Sequence, residues 1–487
     1  MYTRTVATVL FTFAAAHAAS AQTLVRCEKF IQTGERPAWA DGATVTALET
    51  PFTDTEGKVG FVGVLTPEVG AERVFVFHDD GPVFTSNQAP TGYVLTGRES
   101  TMGIATGGRF IYSPSINGND GLWSSAGYII SQNDPAPGAP GKFIKFASGP
   151  TMFGDGNFAF IAGYSNAPGA ITTDRALYRG IVGIPGLALI YKTGDVIAGE
   201  TLRFTTPSLS FTYDSSDNAQ HLIHIVGAES SSLHSLVLKD GAFIARYNDA
   251  IAFSNYLEAW ENFFVVGVNN AGHWMICGDS VNYDSFSSDG FVAFNGVGIV
   301  HENDTVGGIT LTSPASCRAA SLNNSDQIAH LWQYTIPGGT AKALFVGEGA
   351  TLGSSIKVVA TGDQLDVDGD GVADFTVKDL PENRLSSAAM DIAEDGRVAT
   401  RVVVRAVGAT ADTQAIIRFC YANCDTGGNC PPCAADFNQD GGVTGNDVQA
   451  FFVEFEAGVT CGDVNLDGGV TGDDVVYFFG LFEAGGC

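Results

Sequence analysis

A short turn leading into an apolar strand recurs along the chain, and repetition on this scale constrains the fold more than any single residue does. It reads Asp54-Thr-Glu-Gly57-Lys-Val-Gly60-Phe61, then Gly108-Arg-Phe-Ile-Tyr112, Phe153-Gly-Asp-Gly156-Asn-Phe-Ala159-Phe160 and Gln220-His-Leu-Ile-His224. It returns as Asn269-Asn-Ala-Gly272-His-Trp-Met275, Asn323-Asn-Ser-Asp326-Gln-Ile-Ala329 and Ala393-Glu-Asp-Gly396-Arg-Val-Ala399. A second signal follows the last apolar run of each unit, a Gly or Asn beside an acid. Its members are Gly34-Glu35, Asn133-Asp134, Gly194-Asp195, Asn248-Asp249, Asn303-Asp304 and Gly362-Asp363, with Asn87-Gln88 as the degenerate one. Each series has seven members.

Within a unit the runs are short, rich in Val, Ile, Phe and Thr, and ended by Gly, Asp or Ser, which reads as strand rather than helix. Residues 200–249 give four: Ser208–Thr212, His221–Val226, Ser232–Val237 and Ala242–Tyr247. Four strands in about 55 residues is the pattern of a propeller blade, and one blade cannot bury both of its faces. The expectation is an all-β fold over residues 22–423, a β-propeller of about seven four-stranded blades, although the uneven spacing also suits six or eight. The segment Leu24-Val-Arg-Cys27-Glu-Lys-Phe-Ile31 precedes the first turn as a fourth strand should, while the last unit ends at Gln414-Ala-Ile-Ile-Arg-Phe-Cys420. The N-terminal strand is therefore expected to complete the last blade, with Cys27–Cys420 as a candidate staple. These units resemble the N-x-x-G-x-x-A-F tandem repeats of secreted bacterial proteins, common in planctomycetes. The resemblance implies a propeller-like array and no established activity.

Residues 1–21 have the form of a signal peptide: Arg4, an apolar stretch from Val6 to Ala16, and Ala19-Ser20-Ala21 before Gln22. The expectation is cleavage after Ala21 and a secreted, extracellular or cell-surface protein, with no segment long and apolar enough to span a membrane. Nine cysteines suit an oxidising compartment. Cys430-Pro-Pro-Cys433 lies in a Cys/Gly/Pro linker, residues 424–435, so structural bridging is expected there rather than redox catalysis. The net charge of −28 argues against a nucleic-acid partner, whose phosphates would be repelled.

The last 52 residues carry the chemistry most specifically. Asp436-x-Asn438-x-Asp440-Gly441-x-Val443-x-x-x-Asp447 puts oxygen side chains at positions 1, 3, 5 and 12 of a calcium loop, with the Gly442 carbonyl at position 7. Asp463-x-Asn465-x-Asp467-Gly468-x-Val470-x-x-x-Asp474 repeats the design, with Gly469 at position 7. A hard cation takes such a cage of oxygens, and the ligand mix favours Ca²⁺ over Mg²⁺. Behind each loop a helical stripe is expected, Val448, Phe451, Phe452 and Phe455, then Val475, Phe478, Phe479 and Phe482. Inside the last blade Asp366-x-Asp368-x-Asp370-Gly371-x-x-Asp374 offers four more carboxylates at calcium-loop spacing.

The duplicated loop–helix at 436–487 is similar to a type I dockerin, the EF-hand-like module that docks enzymes onto cohesin-bearing scaffolds during polysaccharide breakdown. The resemblance implies calcium ligation by Asp436, Asn438, Asp440, Asp447, Asp463, Asn465, Asp467 and Asp474, and a cohesin-like or cell-surface protein as partner. At loop positions 10 and 11, where many dockerins carry hydroxyls for cohesin, the chain has Gly445-Asn446 and Gly472-Asp473. Cys433, Cys461 and Cys487 flank the two copies and are candidates to staple them.

The repeated acids Glu35, Asp134, Asp195, Asp249, Asp304 and Asp363 admit two readings. As a ring they could hold the carboxylate pair of a glycosidase. Yet a feature shared by nearly every unit is expected to cap turns, because catalysis needs unequal acids. No G-x-S-x-G elbow and no histidine metal cluster occurs. The reading is a propeller that binds a polysaccharide or protein ligand, without catalytic residues, attached to a scaffold or cell surface by its calcium module. The alternative is an extracellular glycoside hydrolase or lyase carried by the same module.

Overall fold

The computed structural model describes residues 24–79, 81–97, 102–154, 156–170, 174–203, 213–228, 235–254, 258–282, 288–368, 372–381, 390–419, 434–438, 442–457, 460–462, 464 and 470–484. The described residues between 24 and 419 build a seven-bladed β-propeller. Blades 3, 5 and 6 are plain four-stranded antiparallel meanders, Phe143–Lys192, Glu258–His301 and Ser316–Ala360. Blades 1, 2 and 4 carry extra short strands, and blade 7 contains the two ends of the domain. In blade 4 the strands are Tyr213–Ser215, Leu222–Ala228, Ser235–Lys239 and Ala242–Arg246. Three of these match the sequence reading within a few residues, while the expected Ser208–Thr212 lies outside the described residues.

Each N-x-x-G-like turn joins the innermost strand of a blade to the second, and its residue preferences have a backbone cause. The fourth turn residue donates its N–H to the carbonyl of the first: Gly57 to Asp54 (2.9 Å), Gly156 to Phe153 (3.0 Å), Gly272 to Asn269 (2.9 Å) and Asp326 to Asn323 (3.3 Å). This requires a left-handed fourth residue, with φ +77° at Gly57, +76° at Gly272 and +64° at Asp326. Asn269 Oδ1 also accepts the N–H groups of Ala271 and His273, which is why Asn or Asp suits the first position.

The ring closes as the sequence suggested. Strand Leu24–Gln32 lies antiparallel to Thr413–Phe419 and becomes the outer strand of blade 7. Its first residues also run parallel to Gln364–Asp366, with Arg26 opposite Asp366. The pairings continue through Phe375–Asp379 to Val398–Ala406, so the closing sheet curls back onto itself. Ile31 is 2% exposed in a core shared with Val45, Phe61, Ala399 and Ile416. Arg401 Nη1 donates to the Leu48 carbonyl at 2.7 Å, tying blade 7 to blade 1. Cys27 stands opposite Phe419, and Cys420 lies outside the described residues.

Near the C-terminus two helices, α1 (Gly445–Ala457) and α2 (Gly472–Ala484), follow the two acidic loops. Phe451 and Phe478 are fully buried and stack with ring centroids 4.1 Å apart and planes 3° from parallel. Phe437 meets both rings edge-on, and the two expected stripes surround them. Cys461 is disulfide-bonded, while Cys433 and Cys487 lie outside the described residues. Among the described residues no helix is long and apolar enough to cross a membrane.

If closure is the main tie between the ends of the ring, Ile31→Ala should cost about 2–4 kcal/mol, the usual range for emptying such a site. Chemical denaturation measures it, and an unchanged midpoint would contradict the closure.

Candidate functional site: acidic loops and central channel

The repeated acids cap turns. Five of the six reach back three residues to accept a backbone N–H: Gln32 to Glu35 (3.2 Å), Ser131 to Asp134 (2.9 Å), Lys192 to Asp195 (2.9 Å), His301 to Asp304 (2.8 Å) and Ala360 to Asp363 (2.8 Å). Gln88, the degenerate member, accepts the N–H of Thr85 in the same way (2.8 Å). The Gly or Asn before each acid is left-handed, from +66° at Asn248 to +97° at Gly362. Only residues that tolerate this conformation can stand there, which accounts for the Gly/Asn alternation.

Blade 5 builds a charged cluster on this turn. Buried His301 donates through Nε2 to Glu258 Oε2 at 2.8 Å, and its Nδ1 lies 3.8 Å from Asp304. Ser254 Oγ donates to the same Glu258 oxygen at 2.6 Å. Burial alone would depress the imidazole, but Asp304 and Glu258 hold it up to about 9.

The centre of the ring shows a pattern that sequence reasoning missed. A cavity of about 130 Å³ is lined by the ends of the inner strands, including Phe52, Met152, Asp214, Ser321, Asp391 and Glu394. Asp214 and Asp391 each sit two residues ahead of a turn and accept an N–H from the next blade, Val268 (2.8 Å) and Thr53 (2.8 Å). Asp391 also accepts from Ser321 Oγ (2.7 Å) and from Thr53 Oγ1 (3.0 Å). Asp214 takes the N–H of Ser215 on its other oxygen (2.8 Å). Burial pushes Asp214 up to about 7 and raises Asp391, against the pull of these donors.

One residue into the turns a second belt runs in the opposite sense. Gly154 N–H donates to Asp217, Asp217 to Asn270, Asn270 to Asn324 and Asn324 to Glu394, at 2.8–3.2 Å. The channel carboxylates therefore work as fasteners between blades. An acid inside an otherwise apolar inner strand, as in Met390-Asp391-Ile392, is the sequence signal that could have found them. At the closure of blades 7 and 1 a larger groove of about 550 Å³ is lined by Trp39, Phe30, Phe77, Glu28, Asp79 and Arg418.

Of the expected calcium ligands in the last blade, Asp366, Asp368 and Asp374 converge, each offering an oxygen within 4.8 Å of the others'. Asp374 Oδ2 accepts the Val367 N–H at 2.8 Å, folding the loop on itself. In the C-terminal loops the two position-12 acids are fully buried and make matching bonds. Thr444 N–H donates to Asp447 and Thr471 N–H to Asp474, both at 2.7 Å, and Asn438 N–H also donates to Asp447 at 3.0 Å. Burial would raise the Asp447 carboxyl, yet these N–H groups hold it below the usual range. Asp436, Asn438 and Gly442 are described beside them. Asp440, Asp463, Asn465, Asp467, Gly469 and Asp370 lie outside the described residues.

No family model matches the chain, and no curated protein is similar to it in sequence. Among solved structures it is similar to the Dos1 propeller, at 11% identity over 80% of this chain and 82% of that one, with a TM-score of 0.35. Prolyl oligopeptidase B from Galerina marginata gives 9% identity, 73% and 47% coverage and a TM-score of 0.38. The polysaccharide lyase Uly1 gives 10%, 78%, 58% and 0.24. At such TM-scores none of these likenesses carries an argument. The fold assignment rests on the strand pairings.

The His301 cluster sets a pH dependence. Because the folded value lies above the ordinary 6.5, its stabilisation is fully present below about pH 6.5 and is lost as pH rises through about 9. We expect wild type to lose on the order of 3 kcal/mol more than His301→Gln between pH 6 and pH 10. Parallel losses in denaturant melts of the two proteins would contradict this.

Proposed function

We propose that the chain is an exported calcium-binding protein whose propeller binds a polysaccharide or protein ligand. In this reading the helical module at 436–487 is dockerin-like and attaches the propeller to a cohesin-like scaffold or a cell surface. The observation that carries the calcium reading is the convergence of Asp366, Asp368 and Asp374, with the matched burial of Asp447 and Asp474 as its counterpart in the module. The donor set fits the ion, since carboxylate and amide oxygens without nitrogen or sulfur suit a hard divalent cation. Asp366, Asp368, Asp370 and Asp374 would hold one ion. Asp436, Asn438, Asp440, Gly442 and Asp447, and their counterparts Asp463, Asn465, Asp467, Gly469 and Asp474, would hold two more. The ion supplies charge neutralisation, letting acids crowd in a chain of net charge −28.

The groove beside Trp39 is the place we assign to the propeller's ligand, because an aromatic wall and unlike charges face open space there. A glycoside hydrolase or lyase would need an acid and a base free to reach substrate. The two half-buried channel acids, Asp214 and Asp391, have their oxygens engaged by neighbouring donors, so binding is the reading we keep.

Metal-coupled folding of the module predicts that millimolar calcium protects residues 436–487 of the full chain from limited proteolysis, and that chelation removes the protection. Asp440→Ala with Asp467→Ala should abolish the calcium effect. Undiminished protection in the double variant would overturn the ligand assignment.

A further inference from the structure

Two cysteines in neighbouring blades meet at the packed face between them. Cys277 lies in the second strand of blade 5, Trp274–Asn282, and Cys317 in the inner strand of blade 6, Ser316–Leu322. Both are fully buried in one apolar cluster with Val292, Phe294, Ala320 and Trp332. The Cys277 thiol donates to the Cys317 carbonyl at 3.4 Å, and the Cys317 thiol donates to the Ala319 carbonyl at 3.5 Å. The blades touch backbone to backbone beside them, since a Cβ on Gly290 would come within 2.5 Å of the Ala315 carbonyl. Both cysteines are free thiols in this arrangement.

We propose that Cys277 and Cys317 form a disulfide between blades 5 and 6 when the chain folds under oxidising conditions. The part of this that concerns the natural protein rests on the exported reading above. The oxidant is a low-molecular-weight or enzymatic disulfide, RSSR. The thiolate of one cysteine attacks a sulfur of RSSR and releases RS⁻, giving a mixed disulfide. The second cysteine, deprotonated, displaces the other RS⁻ from it. Two protein thiols and one RSSR thus become one protein disulfide and two RSH, with protons and electrons balanced.

Burial fixes when this happens. A sealed thiol whose ionisation burial opposes is a poor nucleophile, so exchange must occur before blade 6 seats fully on blade 5. The finished fold then keeps whichever redox state it acquired. The bridge would fasten two blades at a core position, away from the turn and belt contacts that register them at the channel.

The test is refolding of the full chain, denatured and reduced, in a mixture of reduced and oxidised glutathione, followed by alkylation under denaturing conditions and non-reducing peptide mapping. The expected result is a linked pair of peptides carrying Cys277 and Cys317, and a melting temperature several degrees above that of Cys317→Ser. Adding oxidised glutathione to a chain already folded in reductant should leave both cysteines alkylatable after denaturation. Recovery of both as alkylated thiols after oxidative refolding, with a native melt, would overturn the proposal, as would pairing of either with another cysteine. The same map on protein recovered from outside the producing cell, with its N-terminus sequenced, reports export separately. Protein found only inside the cell with residues 1–21 uncleaved would count against the exported reading and leave the refolding result standing on its own.

Discussion

Antiparallel pairing of Leu24–Gln32 with Thr413–Phe419 joins the two ends of the propeller, and the closed ring depends on it. A blade has two apolar faces and cannot cover both from its own residues, so seven blades in an open row would leave two faces bare. Closure covers the last pair. It places Ile31 in the core between blades 7 and 1 and seats the first strand beside Gln364–Asp366, where the acidic loop of the last blade begins. The hydrogen-bonded belts at the channel hold the register that closure creates. From blade 3 to blade 7 the turn residues are bonded blade to blade, so a shift of blade 4, 5 or 6 would break contacts on both of its sides.

The repeat was legible because its residues answer to local backbone demands. A left-handed fourth turn residue needs Gly, Asn or Asp in nearly every blade, and an acid that reaches back to an N–H needs the same short spacing each time. Such demands leave a periodic trace. The closing strand was legible for a related reason, an unpaired strand at one end and a missing one at the other. The helical stripes were readable from spacing alone, and Phe451 and Phe478 occupy the centre that the spacing implied.

The channel was not legible, and the reason is physical. Asp214 and Asp391 occupy a position where other blades carry Phe52, Gly267 or Ser321, so no repeat signal marks them. Their role depends on which N–H the adjacent blade presents, a relation between residues more than 50 apart in blades 4 and 5 and more than 300 apart across the closure. Likewise, nothing in the spacing of Cys277 and Cys317 places them in contact. Only the packing of blade on blade does so.

Acidity runs through the account. Turn acids, channel acids and loop acids are handled by different means: a backbone N–H three residues back, an N–H from the next blade, and, in the proposed reading, a bound cation. The first two are visible in the hydrogen bonds, and the third is the central claim. It is tested most directly by equilibrium dialysis of the full chain against calcium, followed by metal analysis. The account predicts three calcium ions per chain, one for the loop at Asp366–Asp374 and two for the C-terminal module. A chain that leaves millimolar calcium without bound metal would contradict it.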